Sequence, residues 1–252
     1  MRVLLDPRRP GSPGSRVTAP ELADLYAFPR GRWVRSNFVT TLDGSAVGAD
    51  GRSGSVNTPA DNRVFALQRA LCDAVLVGSG TVRAEGYERL QPTRRRRAPA
   101  ALVVVSGSGR VPEGLRAPRQ GRGAGLLVTC ASVGDEALAR ARSVLGPDAV
   151  VVAGGAHVDL AAALDALADR GLRHVLCEGG PTLFASAVRE GVVDEMAFSI
   201  VPSVVGGDGS RVTHGAPLGA PHGIRLSPRL LVEEAGTLLG LWRVAPGLAD
   251  LS

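Results

Sequence analysis

The stretch RALCDAVLVGSGTVR, residues 69–83, decides the fold class, because in it an apolar run leads directly into a glycine-rich loop. Residues 73–77 have the length and the β-branched content of a buried strand, and Gly78-Ser79-Gly80 follows at once. Glycines let a phosphate approach the backbone amides, and a helix that begins after them presents a positive N-terminus. The stretch therefore predicts a strand, a loop and a helix, with the loop as a candidate ligand site.

Short apolar runs of the same kind recur along the chain and alternate with amphipathic segments. The predicted strands are 33–42, 73–77, 101–105, 125–129, 149–153 and 174–177, and the predicted helices are 59–71, 135–145, 160–169 and 181–190. Strands buried on both faces and separated by helices are typical of a parallel sheet. The final part of the chain differs, because 195–201 alternates and 224–234 with 237–244 predicts an antiparallel hairpin.

The fold class predicted from these patterns is α/β, with a central mostly parallel sheet flanked by helices and an antiparallel hairpin at the C-terminal edge. Residues 1–31 contain five prolines and little periodicity, which predicts an irregular N-terminal arm with one short helical turn near its end. No linker divides the remainder, so we expect residues 32–252 to form a single domain.

The composition excludes several classes of protein. All 29 basic residues are arginine, so the chain lacks the lysine that Schiff-base enzymes, pyridoxal enzymes and Walker-A nucleotidases require. Cys72, Cys130 and Cys177 are too far apart for a metal knuckle or a redox pair, and the four histidines show no metal-ligand spacing. We therefore predict no metal site.

Charge and hydropathy bear on the partners and the location. The net charge is +5, but the densest basic run, 94–97, is flanked by prolines, and only 4% of residues are aromatic, so we predict no nucleic-acid partner. The apolar runs are far shorter than the ~18 residues of a membrane helix, and the first residues lack a signal-peptide pattern. We therefore predict a cytoplasmic protein without a membrane partner.

A second glycine loop, Glu178-Gly179-Gly180-Pro181-Thr182-Leu183, follows the strand predicted at 174–177. The glycines expose backbone donors and Pro181 begins a helix, which suits a pyrophosphate; a tight strand-to-helix turn without a ligand fits the pattern equally well. A third loop, 206–209, is predicted to be a flexible turn. An ordinary Rossmann fingerprint is disfavoured, because Arg83 stands where its third glycine is required and no acid stands at 98 or 99.

Three acidic residues are candidates for chemistry near these loops. Asp43 lies in Thr40-Thr41-Leu42-Asp43-Gly44, where its local sequence alone favours a simple Asp-Gly turn. Glu85 follows the first glycine loop by five residues. Glu178 begins the second loop at a strand end, where burial would raise the pKa of its carboxyl group into a range useful for proton donation.

Taken in order, the segments 36–44, 69–83, 176–183, 193–195 and 201–207 resemble the RibD carboxy-terminal family, the reductase domain of riboflavin biosynthesis, in its free-standing form. The resemblance implies a dihydrofolate-reductase-like fold, NADPH as hydride donor and a homodimer. It also implies a pyrimidine substrate that carries a ribosylamino 5-phosphate, which is reduced to the ribityl form. We expect the two glycine loops to lie side by side, so that one dinucleotide bridges them.

Carried over by position, the resemblance assigns roles to individual residues. Those expected at the cofactor are Thr40, Gly78, Gly80, Thr81, Val82, Gly179, Gly180, Pro181, Thr182 and Leu183. Asp43, Glu85 and Glu178 match family positions near the nicotinamide and the substrate, and are the predicted catalytic residues. Asn37, Arg63 and Arg83 are the predicted substrate-binding residues, with Arg63 as first choice and Arg83 as second for the sugar phosphate. Arg110 is suggested for the 2′-phosphate of NADPH.

The chain departs from the family pattern around the predicted substrate pocket. Ser55-Val56-Asn57-Thr58 stands where the family often has a tryptophan, Glu85-Gly86-Tyr87 replaces an Asp-Asn-Pro, and Asn62 replaces an arginine. Three hypotheses follow: the pyrimidine reductase of riboflavin synthesis, a reductase of a pteridine such as dihydrofolate in the same fold, and a non-catalytic nucleotide-binding protein. The joint retention of Asp43, Glu85 and Glu178 favours an enzyme.

Overall fold

The computed structural model describes residues 1–7, 13–93, 96, 98–116, 120–218 and 223–245. The strands are β1 (Arg2–Leu5), β2 (Trp33–Thr41), β3 (Ala74–Gly78), β4 (Ala101–Val105), β5 (Gly125–Thr129), β6 (Val150–Val152), β7 (His174–Gly179), β8 (Glu195–Val201), β9 (Leu226–Glu234) and β10 (Thr237–Val244). The helices are α1 (Ala19–Leu25), α2 (Pro59–Leu71), α3 (Ser79–Glu85), α4 (Glu113–Arg116), α5 (Asp135–Leu145), α6 (Leu160–Asp169) and α7 (Pro181–Arg189).

All ten of these strands form one mixed sheet in the order β1-β9-β10-β8-β2-β7-β3-β4-β5-β6. Every pair from β8 to β6 in that order is parallel, whereas β10 pairs antiparallel with both β8 and β9, and β1 pairs antiparallel with β9. The predicted fold class, a mostly parallel centre with an antiparallel C-terminal edge, is confirmed.

Helices cover both faces of the parallel part of the sheet. The apolar sides of α6 and α7 pack with alternate residues of β3, β4 and β7, while α3, α4 and α5 pack with the residues between them. A third apolar cluster joins α1 and α2 to the antiparallel strands. Burial on both faces explains why β3 and β4 are continuous apolar runs without alternation.

Helix α2 begins at Pro59, where the sequence predicts its start. Thr58 caps α2, since its Oγ1 accepts from the amide of Asp61 at 3.2 Å, and Pro59 occupies the first helical position. The strand that precedes α2, β2, runs between β7 and β8 at the centre of the sheet. This arrangement places the first turn of α2 beside the carboxyl end of a central strand.

The N-terminal segment differs from the predicted irregular arm of residues 1–31. β1 extends the sheet through its pairing with β9, and α1 carries a capping box in which Thr18 and Glu21 bond reciprocally. Leu25 and Tyr26 are buried in the same apolar cluster as β9 and β10, so tertiary packing gives this proline-rich segment a regular structure. Of the basic run 94–97, only Arg96 lies within the described residues.

No helix among the described residues is long and apolar enough to cross a membrane.

Candidate active site

A cavity of about 1000 Å³ opens at the carboxyl ends of the parallel strands. Its walls come from the segments that follow β3, β4, β5, β6 and β7, together with residues of β2 and α2. Because parallel strands end at the same edge of a sheet, these segments meet although they are far apart in sequence. The cavity therefore extends along the strand order, from Asn37 and Asp61 at one end to Cys130 and His157 at the other.

The two predicted glycine loops meet at the middle of this cavity. Val77 of β3 lies opposite Gly179 of β7, and a Cβ atom placed on Gly78 would lie 3.9 Å from the amide nitrogen of Gly180. A Cβ on Gly180 would overlap the hydroxyl oxygen of Thr81. The expectation that the loops lie side by side is confirmed.

Gly179 meets a second steric requirement on the sheet side of the same loop. Its φ is +90°, and a Cβ there would approach the ring of Phe38 to 2.8 Å. The peptide bond between Gly179 and Gly180 is cis. Gly179 is therefore required by its backbone conformation, whatever ligand the loop binds, and a side chain at Gly180 would force the Thr81 hydroxyl to move.

Helix α7 presents an uncapped N-terminus to the cavity. Gly180 is its N-cap residue and makes no side-chain hydrogen bond, and Pro181, Thr182 and Leu183 of the first turn line the cavity wall. Helix N-termini favour negative charge, because several backbone N–H groups and the helix dipole point toward the ligand. With Gly80 and Thr81 opposite, this part of the cavity can hold a phosphate or pyrophosphate group.

Glu178 is buried at the cavity wall in a network of three donors. Arg69 donates to both of its carboxylate oxygens, at 2.7 and 2.6 Å, and the Tyr87 hydroxyl donates to Oε2 at 2.9 Å. The Arg69 guanidinium stacks over the ring of Phe65 at 4.2 Å. Burial raises the pKa of Tyr87, and the charge of Glu178 raises it further, so the phenol keeps its proton.

This network changes the physical reason for expecting chemistry at Glu178. The sequence predicted a buried acid ready to donate a proton, whereas both oxygens of Glu178 accept hydrogen bonds from fixed donors. In this geometry the carboxylate orients Arg69 and Tyr87 at the cavity wall. Arg69 is 109 residues away in sequence, so no local pattern marks the pair.

Two other predicted residues also reach the cavity. Glu85 is exposed at its wall and accepts from the Ser53 hydroxyl at 3.2 Å. Asn37 lines the end next to α2, and its Oδ1 accepts from Gln68 Nε2 at 2.6 Å. The structure thus brings together Asn37, Gly78, Gly80, Thr81, Glu85, Glu178, Gly180, Pro181, Thr182 and Leu183.

Asp43 lies outside the cavity and ties two loops together. It accepts from the Thr41 hydroxyl and from the amides of Val205 and Gly206, at 3.2 and 2.8 Å. The Thr41 hydrogen bond and then the Gly206 amide hold the pKa of this carboxyl group below its usual value. The Asp-Gly turn that local sequence favoured is present, and Asp43 anchors the loop after β8 to it.

The other predicted site residues that do not line the cavity are Thr40, Arg63, Val82, Arg83, Arg110 and Gly179. Val82 is the buried residue of α3 and faces the core, and Gly179 packs on Phe38. Arg63 forms an ion pair with Glu234 of β9, on the far side of α2. Arg63 therefore points away from the place where a substrate phosphate was expected.

Sequence reasoning did not single out the cavity residues Arg211, Asp61 and His157, whereas it placed Asn57 within the segment 55–58 at the predicted substrate pocket. Arg211, in the loop after β8, is the only arginine among the described residues that line the cavity. Asp61 and Asn57 line the end next to α2, and His157 lines the opposite end. A signal for Asp61 existed, because it precedes Val64 by three residues and so lies on the apolar face of α2. No comparable local signal marks Arg211.

Comparison with known proteins connects this geometry to one family. The profile of the RibD C-terminal domain matches residues 32–233. The 2,5-diamino-6-ribosylamino-4(3H)-pyrimidinone 5′-phosphate reductase of Methanothermobacter thermautotrophicus is 35% identical over 71% of this chain and 82% of that protein. The riboflavin biosynthesis protein RibD of Mycobacterium tuberculosis is 31% identical over 68% of this chain and 42% of that longer protein.

Solved structures share the fold. A pyrimidine reductase-like protein of Corynebacterium diphtheriae superposes with a TM-score of 0.72 at 23% identity, over 86% of this chain and 93% of that chain. The riboflavin biosynthesis reductase of Saccharomyces cerevisiae superposes with a TM-score of 0.61 at 15% identity, over 90% of this chain and 99% of that chain.

Proposed function

Since the chain belongs to the RibD C-terminal domain family, we propose that it is an NADPH-dependent reductase of 2,5-diamino-6-ribosylamino-4(3H)-pyrimidinone 5′-phosphate in riboflavin biosynthesis. The observation that carries the proposal is the meeting of two glycine loops in the middle of one long cavity. A volume of about 1000 Å³ is at the upper end of ordinary ligand pockets, so it has room for a cofactor and a second ligand together.

The residues at the middle of the cavity fit a dinucleotide. Gly78, Gly80 and Thr81 on one side and the first turn of α7 on the other would hold its phosphates through backbone donors. When bound, a nicotinamide cofactor supplies the hydride that reduces the substrate. The two glycine segments would hold the cofactor in one position, so that the carbon that donates the hydride stays close to the substrate carbon that accepts it.

The end of the cavity next to α2 would receive the pyrimidine. In the reaction the ribosylamine opens to an imine, its carbon accepts a hydride and its nitrogen takes a proton. The exposed carboxyl group of Glu85 is our candidate for exchanging that proton with solvent. Glu178 orients Arg69 and Tyr87 at the same wall, and Asp43 acts at a distance by anchoring the loop that carries Arg211.

Arg211 replaces Arg63 as our candidate for a phosphate contact. It lies at the rim of the cavity, whereas Arg63 is paired with Glu234 outside it. A guanidinium that reaches a phosphate makes charge-assisted hydrogen bonds, so its loss would raise the KM for a phosphorylated ligand. Arg63→Gln is the matched control, because it removes an arginine that lies two helical positions from the cavity-lining Asp61.

The test follows NADPH oxidation by absorbance with the ribosylamino pyrimidine phosphate and, separately, with dihydrofolate. We expect turnover of the pyrimidine only, and at least about a tenfold rise in the KM of either NADPH or the pyrimidine in Arg211→Gln. Arg63→Gln should leave both KM values unchanged. Turnover of dihydrofolate alone would replace the proposed substrate, and NADPH binding without turnover of either compound would favour a non-catalytic protein.

We also propose that the protein acts as a cytoplasmic homodimer. The three free cysteines are all buried and unpaired with one another, which suits a reducing compartment. Leu42 and Val204, in the segments that follow β2 and β8, are 70% and 69% exposed and offer an apolar patch for a second copy. Light scattering at micromolar concentration tests the dimer, and Leu42→Glu with Val204→Glu should then give a monomer.

A further inference from the structure

Gln68 is a buried polar residue of α2 that lies one layer behind the cavity wall. It is 0% exposed and does not line the cavity. Its Nε2 donates to Oδ1 of Asn37 at 2.6 Å, whereas its Oε1 is buried and has no hydrogen-bond partner among the described residues. A buried acceptor without a donor costs stability, so an apolar side chain of similar length would suit packing better. Packing alone therefore does not explain a glutamine at this position.

Asn37 is the residue through which Gln68 reaches the cavity. Asn37 lines the cavity and is partly exposed, and within the described part of the chain its side chain bonds only to Gln68. Because Oδ1 of Asn37 accepts from Gln68, the group left for a ligand is Nδ2, which carries two N–H donors. The hydrogen bond from Gln68 thus decides which end of the Asn37 amide faces the cavity.

Asn37 stands where the two proposed ligands would meet. Ser36 lies opposite Cys177 in the pairing of β2 with β7, and the next residue along β7 is Glu178, directly before the second glycine loop. The other side of this part of the cavity is formed by α2, where the pyrimidine is expected. The nicotinamide carboxamide and the pyrimidinone ring each carry a carbonyl oxygen, which is the acceptor that an N–H donor at this place requires.

We propose that Gln68 is a positioning residue, which holds the Asn37 amide with Nδ2 toward the cavity so that Asn37 donates to a carbonyl oxygen of a bound ligand. This inference rests on the proposed function, since it requires a ligand in that part of the cavity. Without Gln68 the Asn37 amide could turn by 180° and present Oδ1, which repels a carbonyl oxygen. Gln68 removes that unproductive orientation before the ligand arrives.

The first test is Gln68→Met, which keeps the length of the side chain and removes its amide. We expect a rise of about 2- to 10-fold, the value of one neutral hydrogen bond, in one of two constants. A rise in the Kd of NADPH, measured by fluorescence without substrate, assigns the carbonyl oxygen to the carboxamide. A rise in the KM of the pyrimidine at saturating NADPH assigns it to the pyrimidinone. The Tm should not fall, because the unpartnered Oε1 is removed as well.

A double-mutant cycle shows whether Gln68 acts through Asn37. In the Asn37→Ala background there is no amide to orient, so Gln68→Met should add nothing to the loss that Asn37→Ala causes. Ser36→Ala is the matched control for burial. Ser36 is also 0% exposed with an unpartnered Oγ, but it does not line the cavity. Its replacement should leave the Kd of NADPH and the KM of the pyrimidine unchanged.

Gln68→Glu tests the orientation itself through pH. A protonated glutamic acid donates to Oδ1 of Asn37 as glutamine does, whereas an ionised one can only accept and so turns Nδ2 away from the cavity. Burial raises the pKa of a carboxyl group placed at this position. The constant that rises in Gln68→Met should therefore equal the wild-type value in acid and exceed the Gln68→Met value as the pH rises. Comparing the three proteins at each pH cancels the titration of Asp61 and Glu85, which all of them share.

Three results would overturn the inference while leaving the proposed function intact. The first is a Gln68→Met protein with a lower Tm and unchanged binding constants, which would make Gln68 a packing residue only. The second is an equal effect of Gln68→Met in the Asn37→Ala background, and the third is tighter binding by Gln68→Glu as the pH rises. A wild-type chain that binds NADPH but reduces no pyrimidine overturns the proposed function instead. The effect of Gln68 is then read from the NADPH titration alone, where an unchanged Kd overturns the inference too.

Discussion

The pair formed by Arg69 and Glu178 should be strongly asymmetric when either partner is replaced. In Arg69→Met the Glu178 side chain, 2% exposed, stays buried without its cation. Breaking a buried pair in this way costs about 3–5 kcal/mol, because an uncompensated charge remains in the interior. In Glu178→Gln the guanidinium that remains is 26% exposed and still stacks on Phe65, so we expect a smaller loss of about 1–2 kcal/mol.

Thermal and urea unfolding measure this difference. For a domain of this size, 1 kcal/mol corresponds to about 2–4 °C in Tm, so Arg69→Met should lower Tm by about 6–20 °C and Glu178→Gln by about 2–8 °C. Arg140→Met is the control, because its partner Glu136 is 89% exposed and the pair lies on the outer face of α5. Its Tm should match wild type.

The burial argument fails if Glu178→Gln destabilises the protein as much as Arg69→Met or more. That result would mean that the guanidinium, and not the carboxylate, is the group that depends on its partner. A second readout separates stability from chemistry. If Glu178 orients its neighbours, Glu178→Gln should change kcat without shifting the pH at which activity falls. If Glu178 were instead the proton donor, the same substitution would remove one limb of the pH–activity profile.

Further predictions concern the remaining acids and thiols. Because the pKa of Asp61 is raised in the folded chain, its ionised form costs stability above that pKa, so the gain in Tm of Asp61→Asn should be largest near neutral pH and vanish in acid. Asp43→Asn should accelerate amide hydrogen exchange in the loop 203–208 while the overall Tm changes little. Exchange rates in this loop equal to those of the wild type would contradict the anchoring role of Asp43. Burial raises the pKa of Cys72 and Cys177 to about 12, so neither thiol should react with a disulfide reagent at mildly alkaline pH until the chain is unfolded.

Much of the fold follows from local patterns. The run 73–77 and the glycines after it predict a strand, a loop and a helix, and the structure has β3 followed directly by α3, with the glycines at the strand end and in the first helical turn. Thr58 and Pro59 predict the start of α2 because a capping hydroxyl and a fixed φ act within one helical turn. The N-terminal segment differs from the predicted irregular arm for the opposite reason, because its structure depends on contacts that are distant in sequence. β1 is a strand only because β9, more than two hundred residues away, offers it an edge.

The candidate site likewise has features that the sequence shows and features that only the tertiary structure shows. The sequence by itself marked the glycines at 78, 179 and 180 as a candidate ligand site, and its resemblance to the RibD carboxy-terminal family gave the class of reductase. Tertiary structure alone decided which charged groups face the ligand. Arg63 and Asp61 are two residues apart on α2, yet a helix turns about 100° per residue, so one meets Glu234 and the other the cavity. Arg69 neutralises Glu178 and Arg211 reaches the cavity rim through packing of segments that are distant in sequence, and contacts of that kind leave no local trace for a sequence pattern to show.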